Sequence, residues 1–142
     1  MGDTLVSHST LPAPPAAVFD AWTDPAKIEA WWGAVDQFTT TYTHDLRVGG
    51  AWRAEFTDSE GDTSACYGEY RRLDRPHAFA LTYQFSWAPD DPPVLAEFAF
   101  APEGSSTRVT ITQTGAISDD LREDPEGGWS ATLAFLRAYL AR

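Results

Sequence analysis

At 142 residues the chain is long enough for one domain, spanning 1–142, that buries roughly two thirds of the surface its unfolded form exposes. A formal net charge of −11 repels phosphate backbones and anionic lipid surfaces, which argues against nucleic-acid and membrane-surface roles and toward a neutral or cationic partner. Cys66 is the only cysteine, and there is neither a signal-peptide pattern nor an apolar run approaching about 18 residues, so the expectation is a cytoplasmic protein without disulfide, cysteine-rich zinc site or membrane insertion.

Residues 5–11 read as a first strand that ends at Pro12. Pro14 and Pro15 suit the first turn of a helix, where a missing N–H costs nothing, and Val18, Phe19 and Trp22 give that helix an apolar side. Asp24-Pro25 repeats the device, an N-cap followed by proline at the first helical position. It predicts a short helix that reaches Trp31 and Trp32 and stops at Gly33.

From 37 to 113 the pattern has period two. Phe38, Thr40, Tyr42, His44 and Leu46 share one strand face, and Val48-Gly49-Gly50 supplies a reversal beyond which Trp52, Ala54 and Phe56 continue the apolar face. Residues 58–62 read as a polar hairpin loop, followed by a strand with Cys66, Gly68 and Tyr70 on one side and a turn at Arg75-Pro76. Phe79, Leu81, Tyr83, Phe85 and Trp87 alternate with Ala80, Thr82, Gln84 and Ser86, the signature of a half-buried strand. After a proline-rich loop at 88–93, Val94, Ala96, Phe98 and Phe100 form the next strand, and Val109, Ile111 and Gln113 the last. Residues 128–140 predict an amphipathic helix, with Trp129, Leu133, Leu136 and Leu140 on one face. The expected class is α+β: a curved antiparallel sheet of about seven strands, six of them consecutive, two short helices after the first strand, and a long C-terminal helix across the sheet.

Six tryptophans, five tyrosines and eight phenylalanines are a heavy load for one sheet face. Rings on a curved sheet opposite a single helix bridge a gap without filling it, which predicts an apolar ligand cleft. Its candidate lining is Trp31, Trp32, Phe38, Tyr42, His44, Trp52, Phe56, Tyr70, Tyr83, Phe85, Phe98, Gln113, Trp129, Leu133 and Leu136. One indole of the Trp31-Trp32 pair is expected to anchor the second short helix and the other to border the mouth. His44, on the inward face, reads either as a satisfied buried histidine or as a group that exchanges a proton near neutral pH. Gln113, Tyr42, Tyr70 and Tyr83 offer a ligand oriented hydrogen bonds, whereas Asp45 and Arg47 read as a structural pair beside the hairpin.

Catalytic signatures are missing: no G-x-S-x-G elbow, no H-E-x-x-H, no P-loop and no G-x-G-x-x-G. His8, His44 and His77 lack ligand-like spacing, so no metal is expected. Asp58, Glu60, Asp62, Asp90, Asp91, Asp119, Asp120, Glu123, Asp124 and Glu126 fall mostly in loops and read as a solvated rim. These residues together point to binding of a small hydrophobic molecule, without a cofactor, by a monomer or homodimer.

Four stretches carry a family resemblance: Pro14-Pro15-Ala16-Ala17-Val18-Phe19-Asp20-Ala21-Trp22-Thr23-Asp24-Pro25; Trp31-Trp32-Gly33; Asp45-Leu46-Arg47-Val48-Gly49-Gly50; and Gly128-Trp129 with Leu133, Leu136 and Tyr139-Leu140. In this order they resemble the START/SRPBCC superfamily, and within it the group named for the activator of the heat-shock-protein-90 ATPase. The resemblance implies the helix-grip fold around a hydrophobic pocket. Members bind lipids, sterols, polyketides or other apolar molecules; some cyclise or dehydrate polyketides, and some protect antibiotic producers. For this chain it implies a binder of a hydrophobic, aromatic or polycyclic molecule. The alternatives are a polyketide cyclase- or dehydratase-like enzyme or self-resistance protein, with His44 and Gln113 or a tyrosine as the candidate chemical group, and a co-chaperone-type interaction module.

Overall fold

Alternation of apolar and polar residues folds into strands wherever one face can be buried, and the computed structural model, which describes residues 3–32 and 39–141, follows that rule. Strands β1 (Asp3–Leu11), β2 (Thr39–His44), β3 (Ala51–Thr57), β4 (Thr63–Asp74), β5 (Ala78–Phe85), β6 (Val94–Glu103) and β7 (Ser106–Gly115) form one antiparallel sheet in the order β1-β7-β6-β5-β4-β3-β2. Helices α1 (Pro15–Thr23) and α2 (Pro25–Trp31) follow β1; α3 (Asp119–Glu123) and α4 (Ser130–Leu140) follow β7. This is the expected helix-grip arrangement. The Gly33 stop of the second helix and the Phe38 position lie outside the described residues.

Local chemistry sets the helices. Proline at the first position opens α1, and Asp24 both ends it and caps α2, its carboxylate accepting from Ala26 N at 3.0 Å. Trp31 Nε1 donates to the Ala21 carbonyl at 2.8 Å, tying the two helices together. A Glu29 carboxylate oxygen accepts from Tyr42 N at 2.7 Å, so α2 occupies a backbone donor on the edge strand β2 that would otherwise be open to pairing.

Rings fill most of the space between sheet and helices. The Trp22 ring lies 4.8 Å from Phe98, 5.7 Å from Phe79, 5.8 Å from Trp31 and 6.2 Å from Trp129. Leu133 and Leu136 of α4 are fully buried in the same core.

Four details depart from the sequence reading. The alternation that extends to Leu46 outruns its strand: Asp45 N already bonds Ala51 O at 2.9 Å, so the chain reverses there and Leu46 is 47% exposed. Trp87 likewise leaves β5, because a turn after Phe85 (Ala88 N to Phe85 O, 3.1 Å) swings its ring out to stack on Phe85 at 4.5 Å, 63% exposed. Asp119, Asp120 and Glu123 are not in a loop but in α3, a single turn capped by Ser118, whose hydroxyl accepts from Leu121 N. Glu126 is no solvated rim residue: its side chain is 19% exposed, pairs with Arg137 at 2.6 Å and accepts from the Ser9 hydroxyl. The C-terminal helix α4 is present as expected, 11 residues and about 16 Å long.

Candidate functional site

Among the described residues, two neighbouring clefts lie where the aromatic packing stops. The inner one, about 180 Å³, lies between the sheet and the start of α4 and is lined by Trp32, Phe56, Cys66, Tyr83, Phe85, Leu121, Gly128, Trp129 and Thr132. The outer one, about 530 Å³, lies between the β5–β6 loop and α3, with a lining that includes Tyr83, Phe85, Ala88, Val94, Ile117 and Leu121. Tyr83, Phe85 and Leu121 belong to both, so they form the partition.

Among the described residues no charged side chain lines the inner cleft. Burial pushes the Cys66 thiol up to about 12 and the Tyr83 hydroxyl well above its ordinary value, so both stay protonated. Tyr83 Oη is moreover committed, donating to Gln113 Oε1 at 2.6 Å; Trp129 Nε1 donates to the same oxygen at 3.1 Å. The Gln113 amide nitrogen donates to the Gly127 carbonyl at 2.7 Å. Gln113 thus spends its hydrogen bonds on positioning α4 rather than on the cleft.

Asp124 holds the same helix start from outside. Burial would raise its carboxyl, but the Ser130 hydroxyl and the backbone amides of Glu126, Ser130 and Gly128 outweigh that and keep it below the usual carboxylate range.

A separate polar chain lies at the far end of β2. His44 Nδ1 and Tyr70 Oη are 2.7 Å apart, and Tyr70 Oη and Tyr42 Oη a further 2.7 Å. His44 is half-buried and borders neither cleft. Asp58, Glu60 and Asp62 bring three carboxylate oxygens within 4.8 Å of one another at the β3–β4 turn. There Asp58 Oδ1 accepts from Glu60 N and Asp62 N, both at 2.9 Å, which is the bonding of a hairpin tip.

Residues 12–141 match the family described as Activator of Hsp90 ATPase homolog 1-like protein. The chain belongs to this family.

Solved structures share its SRPBCC-type fold. Protein CV1439 from Chromobacterium violaceum is 29% identical, with 99% of each chain covered and a TM-score of 0.78. Mll3558 from Rhizobium loti is 26% identical over 99% of this chain and 98% of its own, TM-score 0.76. Ms6760 from Mycobacterium smegmatis is 25% identical over 96% and 87%, TM-score 0.75. No curated protein matches.

Within this member of the Activator of Hsp90 ATPase homolog 1-like family, the residues expected at a ligand site divide into three groups. Trp32, Phe56, Tyr83, Phe85 and Trp129 are brought together on the inner cleft. Trp31, Trp52, Phe98, Gln113, Leu133 and Leu136 are buried in the core and border neither cleft. Tyr42, His44 and Tyr70 form the distant polar chain, so His44 and Gln113 are not assembled against a common ligand position. Trp32 stacks on the buried Trp31 at 5.7 Å and 8° while its own ring faces Phe56 at 5.4 Å.

Sequence reasoning missed Leu121, Thr132 and the outer cleft. Leu121 lies in the acidic stretch read as loop, and its apolar side chain among Asp119, Asp120, Arg122 and Glu123 was the available signal. Thr132, half-buried, immediately precedes Leu133 and lies three residues after Trp129 and four before Leu136, on the flank of the buried stripe of α4.

Proposed function

We propose that this protein binds a small apolar molecule that places one ring, or a branched group of similar size, in the inner cleft. The observation that carries the reading is the 180 Å³ space left between sheet and α4 in an otherwise ring-filled interior, walled by five aromatic side chains, Trp32, Phe56, Tyr83, Phe85 and Trp129. A cavity of about 150 Å³ holds benzene, whereas drug-sized ligands use about 300–1,000 Å³. A polycycle therefore exceeds the inner cleft, and a larger ligand extends past Phe85 and Leu121 into the outer one.

The apolar and uncharged side chains that the described residues place on this wall favour a neutral apolar group there. A ligand of about 15 heavy atoms at roughly 0.4 kcal/mol per atom gains about 6 kcal/mol, a Kd of tens of micromolar. Titration with phenylhexanol, followed by tryptophan fluorescence, tests the reading: the expected result is a saturable change in that range. A featureless titration to the solubility limit, with no small molecule retained by the purified protein in native mass spectrometry, would overturn it.

A further inference from the structure

The wall of the outer cleft is chemically one-sided. Among the described residues its charged lining is Asp3 and Asp91, with no cation. Arg122 engages Asp3 at 3.1 Å, whereas among the described residues Asp91 has no ion-pair partner. Gln84 directs its amide nitrogen to the Asp91 carbonyl at 3.1 Å, which pins the β5–β6 loop; among the described residues nothing donates to the Gln84 amide oxygen, an acceptor. The Ser118 hydroxyl already accepts from Leu121 N to cap α3.

Below this acceptor-rich rim the lining is apolar: Val94, Ile117 and Leu121, continuous through Phe85 with the inner cleft. A ligand that spans both spaces meets a neutral, ring-sized end and then a region that supplies acceptors and negative charge. The chain's net charge of −11 reinforces the same sign at longer range. A carboxylate-terminated amphiphile such as a fatty acid meets repulsion at its head; an amine meets a counter-charge.

We infer that the outer cleft receives the protonated amine of an amphiphilic ligand whose ring occupies the inner cleft, with Asp91 as the counter-charge. This rests on the binding role proposed above and names the class of molecule bound. Asp91 is an exposed loop residue, so Asp91→Asn keeps the shape of the cleft and removes only the charge.

Phenylhexylamine, phenylhexanol and phenylhexanoate, identical in ring and chain, separate the two claims. The amine is expected to bind roughly three- to tenfold more tightly than the alcohol, and the carboxylate more weakly than either. Added salt narrows that spread. In Asp91→Asn, checked for an unchanged melting temperature, the amine falls to the affinity of the alcohol. Equal binding of all three probes, or an amine preference that survives Asp91→Asn, would overturn the amine assignment while leaving the apolar binding role intact. Failure of all three to bind would overturn both.

Discussion

Trp129 Nε1 donates to Gln113 Oε1 across 3.1 Å, which ties the residue preceding α4 to the interior of β7. The same buried amide accepts from Tyr83 Oη and donates to the Gly127 carbonyl, so β5, β7 and the approach to α4 meet on one side chain. Tyr83 and Trp129 are also walls of the inner cleft. The amide that fixes the helix start thereby holds two walls of the inner cleft in place, although it does not line that cleft itself.

Gln113→Leu tests this tie. The substitution nearly preserves volume but leaves the Tyr83 hydroxyl, the Trp129 indole N–H and the Gly127 carbonyl buried without their partner, each at a cost of about 1–3 kcal/mol. Because the three share one partner their costs do not add, and a total loss of about 3–4 kcal/mol is expected in urea unfolding. A loss below about 1 kcal/mol would mean that α4 is held by its leucine stripe alone.

Filling the inner cleft gives the opposite result. Thr132 is half-buried on its wall, and Thr132→Leu adds apolar volume there while replacing a poorer helix former with a better one. The melting temperature is expected to hold or rise by a few degrees, and phenylhexanol affinity to fall at least about tenfold. Unchanged affinity measured by calorimetry would place the probe elsewhere.

The strands were legible because each residue pattern needs only a buried face, and consecutive antiparallel neighbours make the sheet order follow the chain. Pro14-Pro15 and Asp24-Pro25 marked the early helices through backbone chemistry that acts locally. The α3 turn escaped because its five residues span too little chain for a helical period to appear. Trp87 shows the converse failure, since its alternation continues after the backbone has turned. The inward residues were readable, but not which of them border a void. That depends on Leu121 lining the same clefts as Phe85, 36 positions earlier in the chain, and on Gln113 finding partners at 83, 127 and 129.

Gly68 leaves no room for a side chain against β5. Trp52 is its partner across β3–β4 and sends its indole N–H to the Thr82 carbonyl at 3.0 Å; a Cβ on Gly68 would lie 1.8 Å from that same oxygen. Gly68→Ala must therefore displace β5 from β4, and a loss of more than about 3 kcal/mol, or insoluble protein, is expected. Gly127→Ala is the milder comparison. Its φ of +66° disfavours a side chain, and the added carbon would lie 2.8 Å from the Gln113 amide nitrogen and 2.9 Å from Ser7 Oγ, so it would strain the Gln113 bond to the Gly127 carbonyl but would meet side-chain ends rather than a neighbouring strand's backbone. Urea midpoints that rank the two in the reverse order would show that β4 and β5 separate readily.

His44 gives the fold a pH dependence with a definite sign. Burial lowers its pKa below 6.5, and the carboxylates of Asp24 and Asp45 offset only part of that. Between the lowered value and 6.5 the unfolded chain binds more protons than the folded one, so stability rises with pH across that window. His44's contribution is complete above 6.5 and is lost as the pH falls through the folded-state value. His44→Gln keeps a hydrogen-bonding group near Tyr70 Oη but cannot titrate. The urea midpoint of the native protein is expected to fall more steeply than that of the variant as the pH is lowered from 6.5, with carboxylate effects at lower pH common to both. Parallel curves would show that His44 takes up its proton as readily in the folded protein as in the unfolded chain, and that its link to Tyr70 and Tyr42 adds nothing that protonation disturbs.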